Sequence, residues 1–331
     1  MQEKIEKILS ELPKERREKA LMALDYSPEF LKTPSIGLNK ALGGGLPFGR
    51  IVTFWGTKSA GKSSLVLQII AEAQEQEKAC LYVDVEGTYD DRWAQRLKVN
   101  SENLFLEEAR DVPSVTNACR DYLNAGVDVV VIDSVSAMTP AAQIEDGEIK
   151  DFEDNNSMAI SARDMGKFLN VLNYVNNNSL IVLIAHGSMG PAGAIWKFQM
   201  KGGNALQYYS SQVVKLMSNN TSDLEVKEIT AGNRVLQRPG YRKVKYKVDW
   251  NKVGPQGIEG EYYFHFAGDF VGIDWVRDLI LTGVEYGYIE KNGTWLSWNG
   301  QKAQGAEQAA KILKDDKQEL DRLIKEIYNV K

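Results

Sequence analysis

The sequence predicts an α/β fold, with a mixed, mostly parallel sheet covered by helices on both faces. Three observations predict it. Short apolar runs alternate with helical stretches from residue 50 onward, a glycine-rich phosphate-binding motif follows the first run, and an acid ends a later run. The chain has 331 residues, of which 43% are hydrophobic, so it has enough apolar surface for a large core and a small second domain.

The first 24 residues are predicted to be helical. Apolar residues recur at helical spacing from Ile5 to Leu24, and Pro13 is expected to kink or split the helix. The stretch from Asp25 to Thr33 is interpreted as a linker. A helix so far ahead of the core either docks on a neighbouring protomer or packs as a lid on its own domain.

The central region predicts strands that are apolar on both faces, which is typical of a parallel sheet. The predicted strands are the runs IVTFW, CLYVDV, VDVVVID and SLIVLIA, with helices from Lys62, near Asp91 to Leu97, and from Ser157 to Val175. From Gln212 onward, the runs VVKLM, LEVKEIT, RKVKYKVDW and GEYYFHF predict antiparallel strands. Beyond Phe270 we expect a helix over 274–286, a small hairpin and two further helices in an α+β cap.

Composition and charge limit which classes of function the chain can have. The net charge is −5, but residues 201–252 carry 10 basic and 4 acidic residues, so a local basic groove for nucleic acid is permitted. No apolar run is long enough to cross a membrane, and the charged N-terminus does not resemble a signal peptide. Cys80 and Cys119 are interpreted as buried structural thiols in a reducing cytoplasm.

The clearest motif matches the P-loop pattern G-x-x-x-x-G-K-[ST] and lies between a predicted strand and a helix, as phosphate binding requires. Its residues are Gly56, Thr57, Lys58, Ser59, Ala60, Gly61, Lys62 and Ser63, with Ser64 following. Backbone N–H groups and the helix N-terminus can surround phosphates. Lys62 is expected at the β- and γ-phosphates and Ser63 at Mg²⁺, so ATP is the predicted ligand.

Two acids complete the predicted site. Asp133 ends the run VVVID, and an acid at the carboxyl end of a buried parallel strand lies beside the P-loop in doubly wound sheets, where it can hold Mg²⁺. Glu86 follows the run CLYVDV and would lie near the γ-phosphate, where it could orient the attacking water. Without the P-loop, Glu86 would be interpreted as an ordinary loop acid or helix cap.

These motifs, in this order, resemble the bacterial RecA recombinases and their phage relatives. The resemblance covers about nine-tenths of the chain and is carried by GGGLPFGRIVTFWGTKSAGKSS, YVDVEGTYDDRWAQRLKV, VDVVVIDSVSAMTPAAQIEDGEI, SMAISARDMGKFLN, KGGNALQYYSS and GVEYGYIEKNGTWLSWNGQKAQG. It implies an N-terminal oligomerisation arm at 1–32, a RecA-like ATPase core at 33–269 and a small C-terminal α+β domain at 270–331. It also implies single- and double-stranded DNA as partners, and self-association into a helical filament.

The resemblance assigns further residues to the nucleotide. Glu86 matches the family's water-activating glutamate, Trp93 the aromatic that stacks on adenine, and Asp90 the acid that receives the adenine amino group. The alternative is that Trp93 is a helix residue that faces the core. Just after the predicted strand RKVKYKVDW, in the sequence VDWNKVG, Lys252 matches a lysine that completes the neighbouring protomer's site, although it could also be a solvated strand-end lysine.

Two DNA-contacting loops have counterparts here. The first runs from about 145 to 157, with Met158 and Arg163 just after it, and the second runs from Gly187 to Gly203. The second is long and glycine-rich, and its lysines and aromatics suit contacts to backbone and bases. Its expected DNA-binding residues are Ser188, Met189, Trp196, Lys197, Phe198, Lys201, Gly202, Gly203 and Asn204.

The chain departs from the bacterial pattern at three positions. His186 stands where a glutamine usually senses the γ-phosphate, Trp250 replaces one of two interface lysines, and Gln207 replaces another lysine. A neutral imidazole can still donate to a phosphate. These differences indicate a phage or otherwise divergent recombinase. Two other classes stay open at this stage: a hexameric helicase with the same core, and a scaffold that binds nucleotide without turnover.

Overall fold

The computed structural model describes residues 1–18, 28–145, 148–149, 157–192, 195–218, 224–231, 234–267 and 270–329. The helices are α1 (Gln2–Glu11), α2 (Lys14–Glu18), α3 (Ile36–Ala41), α4 (Lys62–Gln74), α5 (Asp91–Arg96), α6 (Val112–Ala125), α7 (Ser157–Val175), α8 (Gly203–Tyr209), α9 (Trp275–Glu285), α10 (Gly305–Asp315) and α11 (Lys317–Asn329).

The strands follow the alternation that the sequence predicts. They are β1 (Phe30–Leu31), β2 (Leu46–Pro47), β3 (Ile51–Gly56), β4 (Cys80–Asp84), β5 (Leu104–Glu108), β6 (Val129–Asp133), β7 (Ile144–Glu145), β8 (Glu148–Ile149), β9 (Leu180–Ala192), β10 (Ile195–Met200), β11 (Gln212–Met217), β12 (Leu224–Ala231), β13 (Arg234–Asn251), β14 (Glu259–His265), β15 (Gly272–Ile273), β16 (Glu290–Asn292), β17 (Trp295–Trp298) and β18 (Gln301–Gln304).

Pro13 separates the two N-terminal helices, as predicted, because proline lacks the N–H that a continuous helix would need. No residue of α1 is buried in the chain. An isolated helix of this length is marginal in water, so its apolar residues need a partner surface. The remainder of the predicted helix (19–24) and the first three residues of the predicted linker (25–27) lie outside the described residues.

The central sheet has the order β15-β14-β13-β11-β3-β9-β6-β4-β5, with β10 paired to β9 and β12 to β13. Strands β11, β3, β9, β6, β4 and β5 are mutually parallel, and β13, β14 and β15 continue the sheet in antiparallel pairs. The prediction of a mixed, mostly parallel sheet is therefore confirmed.

One strand was assigned the wrong direction from the sequence. The run VVKLM was grouped with the antiparallel strands, but β11 pairs in parallel with β3 and antiparallel with β13. It is the strand at which the sheet changes from parallel to antiparallel pairing. Its side chains are mostly buried on both faces, as in the parallel strands, although Lys215 gives the run a polar residue.

Helices cover both faces of the sheet because successive strand side chains point in opposite directions. On one face Val52 and Phe54 pack with the apolar side of α4, and on the other Ile51 and Trp55 pack with α6 and α7. A third cluster holds α9, α10 and α11 against the small sheet of β16, β17 and β18. No helix among the described residues is long and apolar enough to cross a membrane.

A buried carboxylate joins the C-terminal region to the start of the core. Asp278 on α9 accepts a hydrogen bond from the Gly37 N–H, 3.1 Å away, in the first turn of α3. Its side chain is almost completely buried, and burial raises its pKa to about 7, although hydrogen bonds from Gly37 and Ser35 act in the opposite direction. Position 37 has no space for a side chain, because a Cβ there would lie 2.9 Å from the Tyr246 hydroxyl.

We predict that Asp278→Asn changes the pH dependence of stability. The folded protein holds the Asp278 proton more tightly than the unfolded chain does, so wild type loses stability as pH rises from about 4 to about 7. Asn does not titrate. The unfolding free energy of the variant relative to wild type should therefore increase by on the order of 2–3 kcal/mol between pH 5 and pH 8.

Urea unfolding at the two pH values measures this difference. Asp321→Asn changes an exposed carboxylate on α11 and serves as the control, whose profile should run parallel to that of wild type. Parallel profiles for Asp278→Asn and wild type would show that Asp278 has an ordinary pKa in the folded protein.

Candidate functional site

The P-loop leaves the C-terminal end of β3, every residue of which is buried. Gly56 has φ 153°, and a Cβ there would lie 1.9 Å from the Leu216 carbonyl oxygen on β11, so only glycine can pass at this point. Gly61, at φ 85°, is the N-cap residue that directly precedes α4. The predicted strand–loop–helix context of the motif is present.

Lys62 lies across the loop rather than in solvent. Its side chain is 6% exposed, and its Nζ donates to the Thr57 carbonyl oxygen at 2.9 Å. Burial lowers the pKa of Lys62, while the charges of Asp133 and Glu86 act to raise it. A buried cation that is only partly offset by carboxylates suits a site for an anion.

Asp133 lies beside the start of α4, as predicted. It ends β6, and its Oδ2 accepts a hydrogen bond from the Tyr82 hydroxyl at 2.8 Å. Burial raises its pKa, although hydrogen bonds from Ser63 and Tyr82 lower it in part. Ser63 and Asp133, the two predicted Mg²⁺ ligands, are thus in direct contact, and both present oxygen atoms to the same point.

Glu86 lies between two donors. Its Oε1 accepts from the Ser134 hydroxyl at 2.6 Å and lies 2.6 Å from His186 Nε2. Burial alone would raise the Glu86 pKa, but these hydrogen bonds and the Lys62 charge outweigh it, so the pKa lies below its ordinary value. Glu86 is therefore held as a carboxylate close to the P-loop lysine.

A cavity of about 360 Å³ joins these groups, and it has a polar end and an aromatic end. It is lined by Lys58, Ser59, Ala60, Gly61, Lys62, Ser63, Ser64, Glu86, Asp133, His186, Arg242, Val244, Phe264 and Phe266. A larger cleft, of about 670 Å³, lies between β13 and β14 and the helices α9 and α10, away from the P-loop. We assign the site to the smaller cavity because the P-loop, Glu86 and Asp133 line it together.

Trp93 and Asp90, the predicted adenine contacts, lie next to this cavity without lining it. Trp93 Nε1 donates to Ser64 Oγ at 3.3 Å, and its ring lies 6.3 Å from that of Phe264. Asp90 caps α5 by accepting from the Trp93 N–H at 3.1 Å, and its other oxygen pairs with Arg92. Asp90 thus has a structural function whether or not it also contacts a base.

The second predicted DNA loop is a β-hairpin and not an irregular loop. Strand β9 continues past His186 to Ala192 and pairs with β10, and the Lys201 N–H donates to the His186 carbonyl oxygen at 2.8 Å. The sequence did not predict this pairing because its glycines and proline disfavour strands. Residues 193 and 194, at its tip, lie outside the described residues.

The predicted DNA-binding residues are in different environments. Met189, Lys201 and Asn204 are exposed, as is Arg163 on α7. Ser188 is partly buried, Gly202 precedes α8 and Gly203 begins it. The side chains of Met158, Trp196 and Lys197 lie outside the described residues, as does most of the first predicted loop.

Phe198 points towards the core in this structure. Its ring stacks on Trp55 of β3 at 5.6 Å and lies where a side chain at position 187 would be, 2.1 Å from a Cβ built on Gly187. Lys215 Nζ lies 4.9 Å from the centre of the Trp55 ring and 5.2 Å from that of Phe198. The hairpin is therefore in contact with the strand that carries the P-loop.

Lys252 lies far from the P-loop of its own chain. Asn251 pairs with Gln212, and Gln212 pairs with Val52, four residues or about 13 Å before Gly56 along β3. Lys252 Nζ donates to the Tyr208 carbonyl oxygen at the end of α8, 2.6 Å away. Burial lowers its pKa, with a further contribution from Arg50.

Sequence reasoning missed several residues of the site. Ser134 and Ser136 hold Glu86 and the His186 backbone, and Tyr82 holds Asp133. Arg242 lines the cavity from β13, about 180 residues after the P-loop. The sequence has no local signal for these contacts, since each depends on which strands are neighbours.

Comparison with known proteins covers almost the whole chain. The family model of the RecA N-terminal domain matches residues 3–256, and that of the RecA C-terminal domain matches residues 277–330. Protein RecA of Wigglesworthia glossinidia brevipalpis is 33% identical over 341 residues, which cover 99% of this chain and 97% of the relative. Protein RecA of Marinobacter nauticus is 34% identical over 320 residues, which cover 93% and 86% of the two chains.

Glu86→Gln should separate binding from hydrolysis. The amide keeps the shape and can still accept from Ser134, but it cannot take a proton from water. We predict that nucleotide binding is retained and that turnover falls about 100-fold or more. Calorimetry with a magnesium nucleotide and a phosphate-release assay measure the two quantities. Glu102→Gln, at an exposed acid, is the matched control, and loss of binding in Glu86→Gln would mean that Glu86 is structural.

Proposed function

The chain belongs to the RecA family, and we propose that it is an ATP-dependent recombinase that forms filaments on single-stranded DNA and promotes homologous pairing and strand exchange. Proteins of this family are DNA-dependent ATPases that use ATP with Mg²⁺. The family also binds DNA and self-associates into filaments. The helicase alternative is not favoured, because both RecA domain models match this chain.

The observation that carries the ATPase assignment is the convergence of Lys62, Ser63, Glu86 and Asp133 in one cavity. The cavity suits a magnesium nucleotide. Thr57 Oγ1 is buried with no hydrogen-bond partner among the described residues, and Lys62 is a buried cation beside it. We assign Gly56 to Ser64 to the phosphates and Ser63 and Asp133 to Mg²⁺, which would neutralise phosphate charge when bound.

Hydrolysis also needs a general base, and we assign this role to Glu86, which lines the same cavity as Lys62. As a carboxylate it can accept a proton from the water whose oxygen attacks the γ-phosphorus, while the bond to ADP breaks and ADP leaves. The lowered pKa of Glu86 favours the deprotonated form, and the Lys62 charge stabilises the negative charge of the transferred group.

His186 is proposed to report the state of the nucleotide to the hairpin. Its imidazole contacts Glu86, and its backbone carbonyl accepts the Lys201 N–H at the base of the hairpin. A γ-phosphate near Glu86 would compete for the same imidazole. The contact therefore supports a single residue as the link between the hydrolytic site and the proposed DNA-binding hairpin.

The remaining assignments concern partners. We assign the single-stranded DNA contacts to the hairpin and to Met158 and Arg163, and we expect double-stranded DNA to be bound as the second substrate.

Residues 1–32 would form the oligomerisation arm, 33–269 the ATPase core and 270–331 the C-terminal domain. The absence of any buried residue in α1 supports the assignment of the oligomerisation arm. The buried free thiols of Cys80 and Cys119 support a cytoplasmic location.

ATP turnover with and without single-stranded DNA tests the proposal, with electron microscopy of the same mixtures. We expect DNA to stimulate turnover at least tenfold and to yield helical filaments, and Lys62→Ala to be inactive in both conditions. DNA-independent turnover or closed rings would contradict the recombinase assignment.

Mixing two inactive variants tests whether Lys252 acts in the neighbouring protomer's site. Lys252→Ala keeps an intact P-loop but gives no cation, and Glu86→Gln has an inactive site but still gives Lys252. A cation supplied in trans can contribute about 10³ to 10⁵ in rate. Each variant alone should be nearly inactive, and the mixture on DNA should exceed their sum. A mixture that equals the sum, or a fully active Lys252→Ala protein, would remove Lys252 from the site.

A further inference from the structure

Arg242 is a cation in the nucleotide cavity to which no function has been assigned so far. It lies on β13, where its partner in the next strand is Phe264, and it lines the cavity together with the P-loop. Alternation along β13 directs Arg242 to the same face as the buried Val244, whereas Lys243 and Lys245 point to the other face. Of these three cations, only Arg242 is among the residues that line the cavity.

The guanidinium of Arg242 is bonded to the P-loop itself. Its Nη1 donates to the carbonyl oxygen of Ser59, in the middle of the loop. Ser59 has φ 61°, a left-handed conformation that is costly for a residue other than glycine. A hydrogen bond from a charged donor to this carbonyl stabilises the peptide in that conformation.

Fixing the Ser59 carbonyl also fixes the next N–H. The peptide unit is planar and trans, so the Ser59 carbonyl and the Ala60 N–H point in opposite directions. The Ala60 N–H donates to the Thr57 carbonyl oxygen with a nitrogen–oxygen distance of 3.3 Å, which is long for a hydrogen bond. The same carbonyl oxygen also accepts from Lys62 Nζ at 2.9 Å. A phosphate oxygen is a stronger acceptor for both donors.

Arg242 is itself held by the aromatic end of the cavity. Its guanidinium carbon lies 5.3 Å from the centre of the Phe266 ring, and the Phe266 N–H donates to the Gly240 carbonyl at 3.0 Å. Its Nε is buried without a hydrogen-bond partner in the described part of the chain, and no carboxylate there forms an ion pair with it. The protein therefore leaves this charge to an anion.

From these contacts we infer that Arg242 is a positioning residue of the nucleotide site. It orients the 59–60 peptide for the phosphates of a nucleoside di- or triphosphate, and its unneutralised charge adds to that of Lys58 and Lys62. The inference rests on the proposed function, since it presumes that the P-loop binds ATP. A purely structural arginine would affect folding and leave nucleotide affinity unchanged in the folded protein.

Arg242→Ala, Arg242→Lys and Lys245→Ala are compared with wild type in the full-length protein. Calorimetry gives the Kd for Mg-ADP, and DNA-stimulated turnover gives KM and kcat for ATP. We expect Arg242→Ala to raise Kd and KM at least tenfold with kcat changed less than about threefold, since the lost interaction is made in both ground and transition states. Lys keeps the charge but not the planar stack, so Arg242→Lys should recover part of the affinity.

Lys245→Ala removes an exposed cation from the other face of the same strand and should leave Kd and KM as in wild type. Thermal unfolding of each variant controls for folding. If Arg242→Ala does not fold, the Kd of Arg242→Lys is used instead. A Kd for Mg-ADP within twofold of wild type, in whichever of the two variants folds and is used, overturns the inference. If wild type itself does not bind Mg-ADP, the proposed function fails instead, so the two failures are distinguishable.

A double variant tests whether Arg242 acts through Ser59. Glycine adopts the left-handed conformation freely, so the Ser59→Gly background should need Arg242 less. We expect the loss of affinity caused by Arg242→Ala to be at least threefold smaller in that background. Equal losses in the two backgrounds would overturn the positioning role.

Discussion

The nucleotide site depends on the parallel register of β3, β4, β6 and β9, because their carboxyl ends meet at one edge of the sheet. Gly56 is paired with His186, and Asp84 with Asp133, so backbone hydrogen bonds fix the P-loop, the proposed metal ligand Asp133 and the proposed sensor His186 relative to one another. Apolar side chains on both faces hold these strands, and the carboxylates Asp84 and Asp133 lie where β4 and β6 end. Such a site is preorganised, since no side chain has to cross the core to reach it.

The Glu86–His186 contact links the nucleotide site to the hairpin physically. One imidazole lies against the proposed base, and the same residue's backbone closes the hairpin that contains Phe198. The hairpin also stacks on Trp55, the residue directly before Gly56 at the start of the P-loop. Two separate contacts thus connect the hairpin to the nucleotide site: His186 on β9 contacts Glu86, and Phe198 of the hairpin stacks on Trp55 of β3. Either could change when a charged ligand enters.

The sequence predicted most of the fold and the polar end of the site, for identifiable reasons. The P-loop spacing is a local signal, and Asp133 and Glu86 follow apolar runs long enough to be recognised as buried strands. The direction of β11 and the contact of Arg242 with Ser59 depend on strand order, which no local pattern encodes. The hairpin was missed because glycine and proline weaken the strand signal even where backbone pairing is present. The small hairpin of the C-terminal region, by contrast, was predicted from the sequence, and antiparallel strands β17 and β18 form there.

In the proposed function, the nucleotide state controls the hairpin through His186. The most direct measurement is the affinity for a fluorescent single-stranded oligonucleotide, determined by anisotropy at constant salt with Mg-ADP and with a slowly hydrolysed ATP analogue. We predict that the affinity of wild type is at least tenfold higher with the triphosphate analogue, which corresponds to a coupling free energy of about 1.4 kcal/mol or more. Equal affinity in the two nucleotide states would contradict it.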